Sequence, residues 1–426
     1  MKNNKILIKN ILVNNDRVEY VLEIIGDVKK YFNQDTNMFI EYGENIESVP
    51  KGVLVIPLLS NILPIAWFSN CEIIVDEIDK NFYECIENIK QGYIDMHTNA
   101  TLKGSLLANS IIDYSYDVTN NTATFFSGGV DSLSTLITRI DEKPTLITLW
   151  GSDIKLTDEY GWKRVKDEVT DFGKRNELDN LLIKSSFRTF INEGALDSDY
   201  SSIMNDGWWH GAQHGIGLIG HVAPYAYIHK LKTVYIPSTN TIHDGKVSCA
   251  SYPTIDDKVE LSSTRVFHEG FENNRQDKIR IICDYVKKYE QELLIRVCWE
   301  SEGGGNCCKC EKCSRTIMGI IAEHLDPNKF GFNVTDSIIN NIKININKKW
   351  IFSQMTLTFW SDIQNRFNEN KQYWENYSNL NWILYIDFNK INRKKINRNK
   401  RRKICKNIWS ILKYQIYKMK KFLQKN

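Results

Sequence analysis

The hexapeptide Ser-Gly-Gly-Val-Asp-Ser at residues 127–132 combines the residue types that suit phosphate binding. Adjacent glycines let backbone N–H groups turn towards one anion without a side chain in the way. A helix that begins near Ser132 would add its positive N-terminal end, and the hydroxyls of Ser127 and Ser132 could donate further hydrogen bonds. Asp131 would be repelled by phosphate unless it pointed away or held Mg²⁺. The alternative is a tight strand-to-helix turn that needs the glycines only for their dihedral angles.

A second cluster of reactive residues lies further along, where five of the ten cysteines fall between residues 298 and 313. Four of them have the spacing C-x8-C-x2-C-x2-C, namely Cys298, Cys307, Cys310 and Cys313. Four thiolates are enough to close a tetrahedral zinc site and leave no open position, so the predicted zinc is structural. The extra cysteine, Cys308, could replace Cys307 as a ligand. The alternative is a set of buried or redox-active thiols, which these tight spacings disfavour.

Cationic candidates lie on the run VFHEGFENNRQDKIR (266–280). It carries His268, Arg275 and Lys278, and the last two, three residues apart, would share a helix face. Positive charge close to a bound triphosphate is expected in phosphate chemistry, so we assign these three side chains a catalytic role together with Asp131. An ordinary solvated surface helix remains the alternative.

Two further segments have weaker signals. His210 and His214 stand one turn apart on a predicted helix, which is a metal-chelating spacing. No third ligand is evident, and histidines that pack the helix or contact a substrate are the simpler interpretation. The turn-rich stretch 238–257 is predicted to be a substrate loop from its position alone.

The elements that must position these residues follow an alternating pattern. Four strands are predicted at 122–126, 144–150, 180–187 and 233–239, and the helices between them at 132–140, 157–175 and 211–230, the last kinked at Pro224. Such alternation predicts an α/β fold with a doubly wound parallel sheet, in which ligands bind beyond the carboxyl ends of the strands. Those ends supply the nucleotide-binding candidates Ser127, Gly128, Gly129, Val130, Asp131, Ser132, Trp150, Gly151 and Arg188.

The rest of the chain is divided by composition. We predict an added N-terminal α+β region at 1–115, the nucleotide-binding domain with its zinc knuckle at 116–325, a helical extension at 326–389 and a basic amphipathic tail at 390–426. Within the first region, the apolar run 53–68 contains two prolines and is interpreted as a buried pair of strands rather than a membrane span.

The tail differs sharply in charge from the rest of the chain. Residues 390–426 hold 15 of the 55 Lys and Arg and none of the 52 Asp and Glu, which leaves 40 basic against 52 acidic side chains elsewhere. On a helical wheel, apolar residues of 404–424 gather opposite the lysines, a pattern typical of a helix lying on an anionic membrane surface. Docking on the acidic body and nucleic-acid binding are the alternatives. The opening MKNNKILIKN shows no secretory signal, so we expect a cytoplasmic protein with peripheral membrane contact.

The sequence Ser-Gly-Gly-Val-Asp-Ser resembles the SGGxDS signature of the PP-loop ATP pyrophosphatases, which include asparagine synthetase, GMP synthetase, tRNA-modifying thiolases and 7-cyano-7-deazaguanine synthase. The resemblance covers roughly residues 120–320, and the cysteine spacing is similar to the zinc motif of the last of these families. It implies a PP-loop (HUP-type) fold that binds ATP and Mg²⁺, with Zn²⁺ at the cysteines. Trp150 and Gly151 are then the expected neighbours of adenosine. The chain departs from that family in its length, its N-terminal region and its tail.

The resemblance also implies the reaction. These families adenylate a carboxylate or carbonyl oxygen and release pyrophosphate, so we expect a ligase-type enzyme in which ammonia or an amine attacks an activated small-molecule carboxylate. A tRNA thiolase is the enzymatic alternative and would need a reactive cysteine, for which Cys249 is the candidate. A nucleotide-sensing protein at a membrane surface is the non-catalytic alternative. The acceptor, the nitrogen donor and the oligomeric state, a homo-oligomer included, are left open.

Overall fold

The computed structural model describes residues 4–33, 36–245, 247–298 and 305–423. Within the C-terminal helix it does not describe the side chains of 403–405, 407–408, 410–412 and 415–423. The chain forms two compact units, residues 1–305 and residues 306–426.

The first unit is built on one large sheet of eleven strands among the described residues. The strands are β1 (Lys5–Asn14), β2 (Arg17–Ile25), β3 (Phe39–Glu41), β4 (Glu72–Asp79), β5 (Ser105–Ile112), β6 (Thr122–Phe125), β7 (Thr145–Trp150), β8 (Asn180–Ser185), β9 (Thr233–Pro237), β10 (Glu260–Leu261) and β11 (Thr264–Glu269). Their order across the sheet is β10-β11-β9-β6-β7-β8-β3-β2-β1-β4-β5. Most neighbouring pairs are parallel, so the unit is an α/β structure.

The centre of the sheet explains where the SGGVDS loop (residues 127–132) lies. β6 pairs in parallel with β7 on one side and with β9 on the other, and Ala123 lies opposite both Thr145 and Val234. From β6 the chain passes to β7 and β8 in one direction, then returns to β9 and β11 on the other side. The strand order therefore reverses beside β6, and the loop follows the carboxyl end of this strand. Such a reversal opens a crevice at the strand ends.

The N-terminal region extends the same sheet. β3 pairs with β8 in antiparallel register, Ile40 opposite Ser185 and Glu41 opposite Lys184. β1 and β2 form a hairpin, and β1 also pairs in parallel with β4. Strands from both sides of residue 115 thus share one sheet, while the proposed boundaries at 115, 325 and 389 stay predictions.

The first unit contains eleven α-helices among the described residues. They are α1 (Lys51–Leu54), α2 (Ile56–Ser69), α3 (Lys80–Met96), α4 (Val130–Thr138), α5 (Glu159–Asn176), α6 (Phe187–Phe190), α7 (Glu193–Met204), α8 (Ile216–Ile219), α9 (Ala223–His229), α10 (Pro253–Asp256) and α11 (Arg275–Tyr289). Short 3₁₀ turns lie at Asp27–Tyr31, Ile140–Glu142 and Gly220–Val222, and a single π turn at Trp209–Gln213.

The prediction of a buried strand pair at 53–68 is wrong, because this run forms the end of α1 and almost all of α2. Nearly every side chain of α2 is buried, so the sequence lacks the polar stripe that would have revealed a helical period. Pro57 lies in the first turn, where a proline costs no hydrogen bond. The amide of Asn61 donates to Pro57 O and Gly217 O, and thereby satisfies a polar group inside the core.

The prediction of a single helix over 211–230 is also wrong. The chain there is broken into the π turn, α8, a 3₁₀ turn and α9. Gly215 has φ +88°, and a Cβ at this position would lie 2.7 Å from a carboxylate oxygen of Asp256. Pro224 stands in the first turn of α9 and begins that helix rather than kinking a longer one.

The second unit is helical. Its elements are α12 (Glu311–Ala322), a 3₁₀ turn (Pro327–Phe330), α13 (Asp336–Lys348), α14 (Gln354–Glu369), α15 (Lys371–Glu375), α16 (Trp382–Tyr385) and α17 (Phe388–Leu423). Buried Trp360 of α14 donates its indole N–H to Glu311 at 2.9 Å, and its ring lies 5.7 Å from that of Phe388. No helix in the described part of the chain combines the length and the apolar character needed to cross a bilayer.

The predicted amphipathic tail lies on α17. The apolar side chains assigned to its membrane face, from Ile404 to Leu423, fall outside the described residues, as do Lys420 and Lys421. Among those that are described, Trp409 is exposed and Lys413 Nζ lies 4.3 Å from the centre of its ring. Contact with a membrane surface stays a prediction.

Candidate functional site

The SGGVDS loop links β6 to α4 through backbone geometry that only its glycines supply easily. Gly128 has φ +72°, in the left-handed region, and Gly129 is the N-cap residue of α4. The hydroxyl of Ser132 accepts from the N–H of Ser127 at 3.3 Å and donates to the carbonyl of Gly129 at 3.2 Å. Ser132 therefore braces the loop from inside, whereas Ser127 is exposed. Buried Val130 anchors the first turn of α4 in the core.

Two of the predicted cations meet the loop at Asp131. Arg275 Nη1 lies 3.2 Å and Lys278 Nζ 3.5 Å from the two carboxylate oxygens of Asp131. Asn274 caps α11 with a capping box, so the helix begins in one fixed place and both cations project from its first turns. Arg275 and Lys278 thus reach the same carboxylate from the first turns of α11, while their catalytic role stays a prediction.

The environment of Lys278 disfavours its charged form. The side chain is 2% exposed, and Nζ donates to the carbonyl of Ser238, which follows β9. Burial lowers the pKa of Lys278 below its ordinary value, and the Asp131 carboxylate offsets part of that effect. An anion with more charge than one carboxylate would hold the ammonium form more firmly.

A further cation at the loop was missed by the sequence reasoning. The Arg296 N–H donates to Gly128 O at 2.7 Å, and its guanidinium donates to Ser127 O at 2.7 Å. Burial lowers the pKa of Arg296, while the nearby carboxylates of Glu168 and Asp153 act in the opposite direction. Nothing in its neighbourhood along the chain signals this role, because Arg296 and Ser127 are 169 positions apart.

The adenosine candidates lie at the ends of the neighbouring strands. The Trp150 indole stacks on Trp162 with centroids 5.2 Å apart and donates to Lys155 O at 3.0 Å. Gly151 has φ +105°, and a Cβ there would lie 1.9 Å from Ser185 O. This glycine is required for the close approach of the chain after β7 to the end of β8.

Arg188 and His268 are engaged elsewhere. Arg188 forms a two-pronged ion pair with Glu193, at 2.5 and 2.7 Å, and lies 4.2 Å from the centre of the Trp209 ring. His268 on β11 is fully buried, with Nδ1 2.8 Å from an oxygen of Asp256. The structure brings Asp131, Arg275 and Lys278 together, and gives these other two side chains separate carboxylate partners.

The cysteines near residue 300 have metal-binding geometry. The sulfur atoms of four of them all lie within 4.8 Å of one another, and we call these residues the four-cysteine cluster: Cys298, Cys307, Cys310 and Cys313. Cys307 Sγ accepts from the N–H of Cys310 at 3.2 Å, and Cys310 Sγ accepts from the N–H of Cys313 at 3.4 Å. Backbone N–H donors stabilise thiolates, as a metal site needs. The four-cysteine cluster could hold a metal ion.

Cys308 is not a member of the four-cysteine cluster. It adopts φ +56°, which turns its side chain away from the neighbouring ligands. Its buried Sγ accepts from the N–H of Asn333 at 3.3 Å. The option that Cys308 replaces Cys307 is therefore not the one that the structure adopts.

Comparison with known proteins identified no relative of this chain. Searches of protein-family models, curated proteins and solved structures found no match to this chain. The geometry of the SGGVDS loop and of the four-cysteine cluster is therefore what supports a function.

Proposed function

We propose that this chain is an ATP-dependent, ligase-type enzyme of the PP-loop ATP pyrophosphatase kind. It adenylates a carboxylate or carbonyl oxygen of a small molecule, releases pyrophosphate, and lets ammonia or an amine displace AMP. The observation that supports this most strongly is the position of the SGGVDS loop. It follows β6 where the strand order reverses, and Arg275, Lys278 and Arg296 contact it.

The composition of the site favours pyrophosphate as the leaving group. Phosphate transfer from the γ position usually uses a lysine inside the loop, whereas here the loop carries none and the cations come from other segments. When the bond to the α-phosphate breaks, negative charge grows on the pyrophosphate. Cations already fixed in place stabilise that charge without reorganising.

The residues present fit ATP with Mg²⁺. The loop N–H groups and the end of α4 would hold phosphate oxygens, and Asp131 supplies the carboxylate that Mg²⁺ prefers. Mg²⁺ would neutralise phosphate charge when bound. Asp131 is paired with Arg275 and Lys278, so this carboxylate stabilises the buried cations, and an anion with more charge would take its place beside them.

We further propose that the metal of the four-cysteine cluster is Zn²⁺. Four thiolates at these spacings are a typical closed zinc site, with no position left for a substrate. The metal would therefore stabilise the fold and take no part in the reaction. The similar cysteine spacing supports placing the enzyme on the 7-cyano-7-deazaguanine synthase-like branch, acting on another carboxylate.

Pyrophosphate–ATP exchange tests the proposal. The purified chain is incubated with Mg²⁺, ATP, labelled pyrophosphate and pools of carboxylates that include deazapurines and acidic sugars. We expect exchange that depends on one pool. Lys278→Met should reduce it about 100-fold, since one buried charge contact at a transition state contributes roughly 3 kcal/mol. Lys287→Met is the matched control, because Lys287 lies on the same helix with a side chain 44% exposed.

The control should leave exchange unchanged. ATP binding with no exchange in any pool would refute the enzyme and favour a nucleotide sensor. Equal loss in Lys278→Met and Lys287→Met would show that the effect comes from the helix rather than from the charge at the loop.

A further inference from the structure

A second group of reactive side chains lies in the first unit, and one of them, Cys249, belongs to the stretch 238–257 that was predicted to be a substrate loop. Cys249 Sγ lies 3.9 Å from Nδ1 of His214, and the ring of His214 stacks 6.4 Å from that of His210. His210 Nδ1 is 2.6 Å from a carboxylate oxygen of Asp206. We call Asp206, His210, His214 and Cys249 the Cys249 cluster.

The cluster is held in place by the backbone around it. His210 belongs to the π turn after α7. Tyr93 of α3 donates its hydroxyl to Ala212 O in this turn at 2.6 Å, and Nε2 of His97, the residue after α3, lies 2.7 Å from Gly211 O. The N–H of Ala250 donates to His210 O at 2.8 Å and ties the cysteine segment to the same turn. Such support from packed elements is what a preorganised site requires.

Each charge in the cluster stabilises the next. The Asp206 carboxylate raises the pKa of His210 to about 10, with a further contribution from Cys249. Burial opposes charge on His214, but Cys249 and then Asp153 raise its pKa. Burial would also raise the pKa of Cys249, yet hydrogen bonding to His210 and His214 brings it down to about 6. These interactions favour a thiolate on Cys249 beside a charged His210 at neutral pH.

Two other cysteines show that burial does not cause the low pKa of Cys249. Cys71 is as buried as Cys249, at 1% exposure, and Cys85 is 6% exposed. No imidazole stabilises either of them, and burial raises the pKa of each to about 12. The histidine pair is what distinguishes Cys249, and paired thiolates of this kind are nucleophiles.

The Cys249 cluster shares a neighbour with the SGGVDS loop. Asp153 follows the carboxyl end of β7 and acts electrostatically on His214 of the cluster and on Arg296, which contacts the loop. Arg188 links the chain after β7 to the turn that carries His210. Its guanidinium donates to Ser152 O at 3.2 Å and lies over the ring of Trp209, the residue before His210. Asp153 thus acts on both groups from the chain after β7, at the end of the sheet where α/β folds bind their ligands.

We propose that Cys249 is a nucleophile that accepts the activated acyl group of the substrate as a thioester. This step rests on the proposed adenylation. The Sγ lone pair forms a bond to the acyl carbon, the bond from that carbon to the phosphate oxygen breaks, and AMP leaves with the electron pair. An amine then attacks the thioester carbon, loses a proton to water, and releases Cys249 as thiolate. A transfer of sulfur would instead need a sulfur donor, which neither the SGGVDS loop nor the Cys249 cluster supplies.

The thiolate is tested without any substrate. A thiolate absorbs in the ultraviolet more strongly than a thiol, so the wild-type minus Cys249→Ser difference spectrum is followed as pH rises from acid to alkaline. We expect a step near pH 6, and Asp206→Asn should move it upwards by about one unit, because the charge of His210 is then less stable. The wild-type minus Cys71→Ser difference is the matched control and should show no step below pH 10 or so, since the Cys71 pKa is about 12. A Cys249 step at the ordinary thiol pKa of about 9 would overturn the proposal.

The acyl step is tested with the carboxylate that supports exchange, a carboxylated deazapurine being the first probe. We expect the intact mass of the wild-type chain with Mg²⁺ and ATP to rise by the mass of the acyl group. The adduct should be absent in Cys249→Ser and cleaved by neutral hydroxylamine. Exchange without an adduct would overturn the thioester and leave adenylation standing. No exchange at all would refute adenylation itself, and this step with it.

Discussion

At the four-cysteine cluster the sulfur atoms lie within 4.8 Å of one another, whereas at the SGGVDS loop two cations lie 3.2 and 3.5 Å from one carboxylate. The first arrangement brings together groups that repel one another once ionised, and only a cation at their centre makes that stable. The second already balances positive against negative charge, beside a loop that follows the carboxyl end of β6. The first region could therefore close around a metal ion, and under the proposed function the second would exchange its ion pairs for an anionic ligand.

The largest expected effect concerns the four-cysteine cluster. Cys310→Ser should abolish binding of one zinc per chain and destabilise residues 306–426, because a structural zinc contributes on the order of 10 kcal/mol. Zinc content by atomic absorption and thermal unfolding measure the two consequences. A strong chelator added to the wild-type chain should reproduce them.

Cys308→Ser is the control for that change. Cys308 lies outside the four-cysteine cluster, and a serine hydroxyl can still accept the hydrogen bond from Asn333. Its zinc content should remain that of the wild type. Equal loss of zinc in the two variants would show that the ligand set is not the one described, and would remove the contrast between the two regions.

The next largest effect concerns the SGGVDS loop. Gly128→Ala should weaken ATP binding about tenfold or more, roughly 1.4 kcal/mol, because a Cβ disfavours the φ of +72° that aims the loop N–H groups. Calorimetric titration with ATP and Mg²⁺ measures it. Gly43→Ala carries the same strain, since Gly43 also has φ +72° with open space around it.

Both glycine variants should therefore lose a similar stability, about 1 kcal/mol. Only Gly128→Ala should lose affinity for ATP. Weaker binding in both would mean that general destabilisation, rather than the shape of the loop, controls the nucleotide.

The smallest effect concerns pH and the Cys249 cluster. The pKa of Cys249 is lowered from 9.0 to about 6, so its stabilising contribution is lost as pH falls through 6. The pKa of His210 is raised from 6.5 to about 10, so its contribution is lost as pH rises through 10. Wild type should exceed Cys249→Ser in free energy of unfolding by about 1 kcal/mol between those limits, and by less outside them. Urea unfolding at several pH values measures this, and a difference that does not vary with pH would contradict the ion pair.

Prediction from the sequence succeeded where the pattern is local. The strands at 122–126, 144–150 and 233–239 and the turn after the first of them depend on neighbours a few residues away, and the structure has β6, β7 and β9 there. The cysteine spacing is also local, and the four-cysteine cluster contains the residues chosen from it.

Prediction from the sequence failed where contacts between residues distant in the chain determine the structure. The run 53–68 is buried on all sides as α2, so neither the strand nor the helix period was visible. Arg296 reaches the loop from a segment far along the chain, and no motif marks it. His210 and His214 were singled out for their mutual spacing, but their partner is Cys249, which only the folded chain brings beside them.

The measurement that tests the central claim most directly is the fate of ATP labelled at the γ-phosphate, in a single turnover with Mg²⁺ and the carboxylate that supports exchange. We expect the label to leave as pyrophosphate, with AMP as the other product, and Lys278→Met to slow its release. Labelled orthophosphate with ADP would contradict the account, because the SGGVDS loop would then serve γ-phosphoryl transfer instead of adenylation.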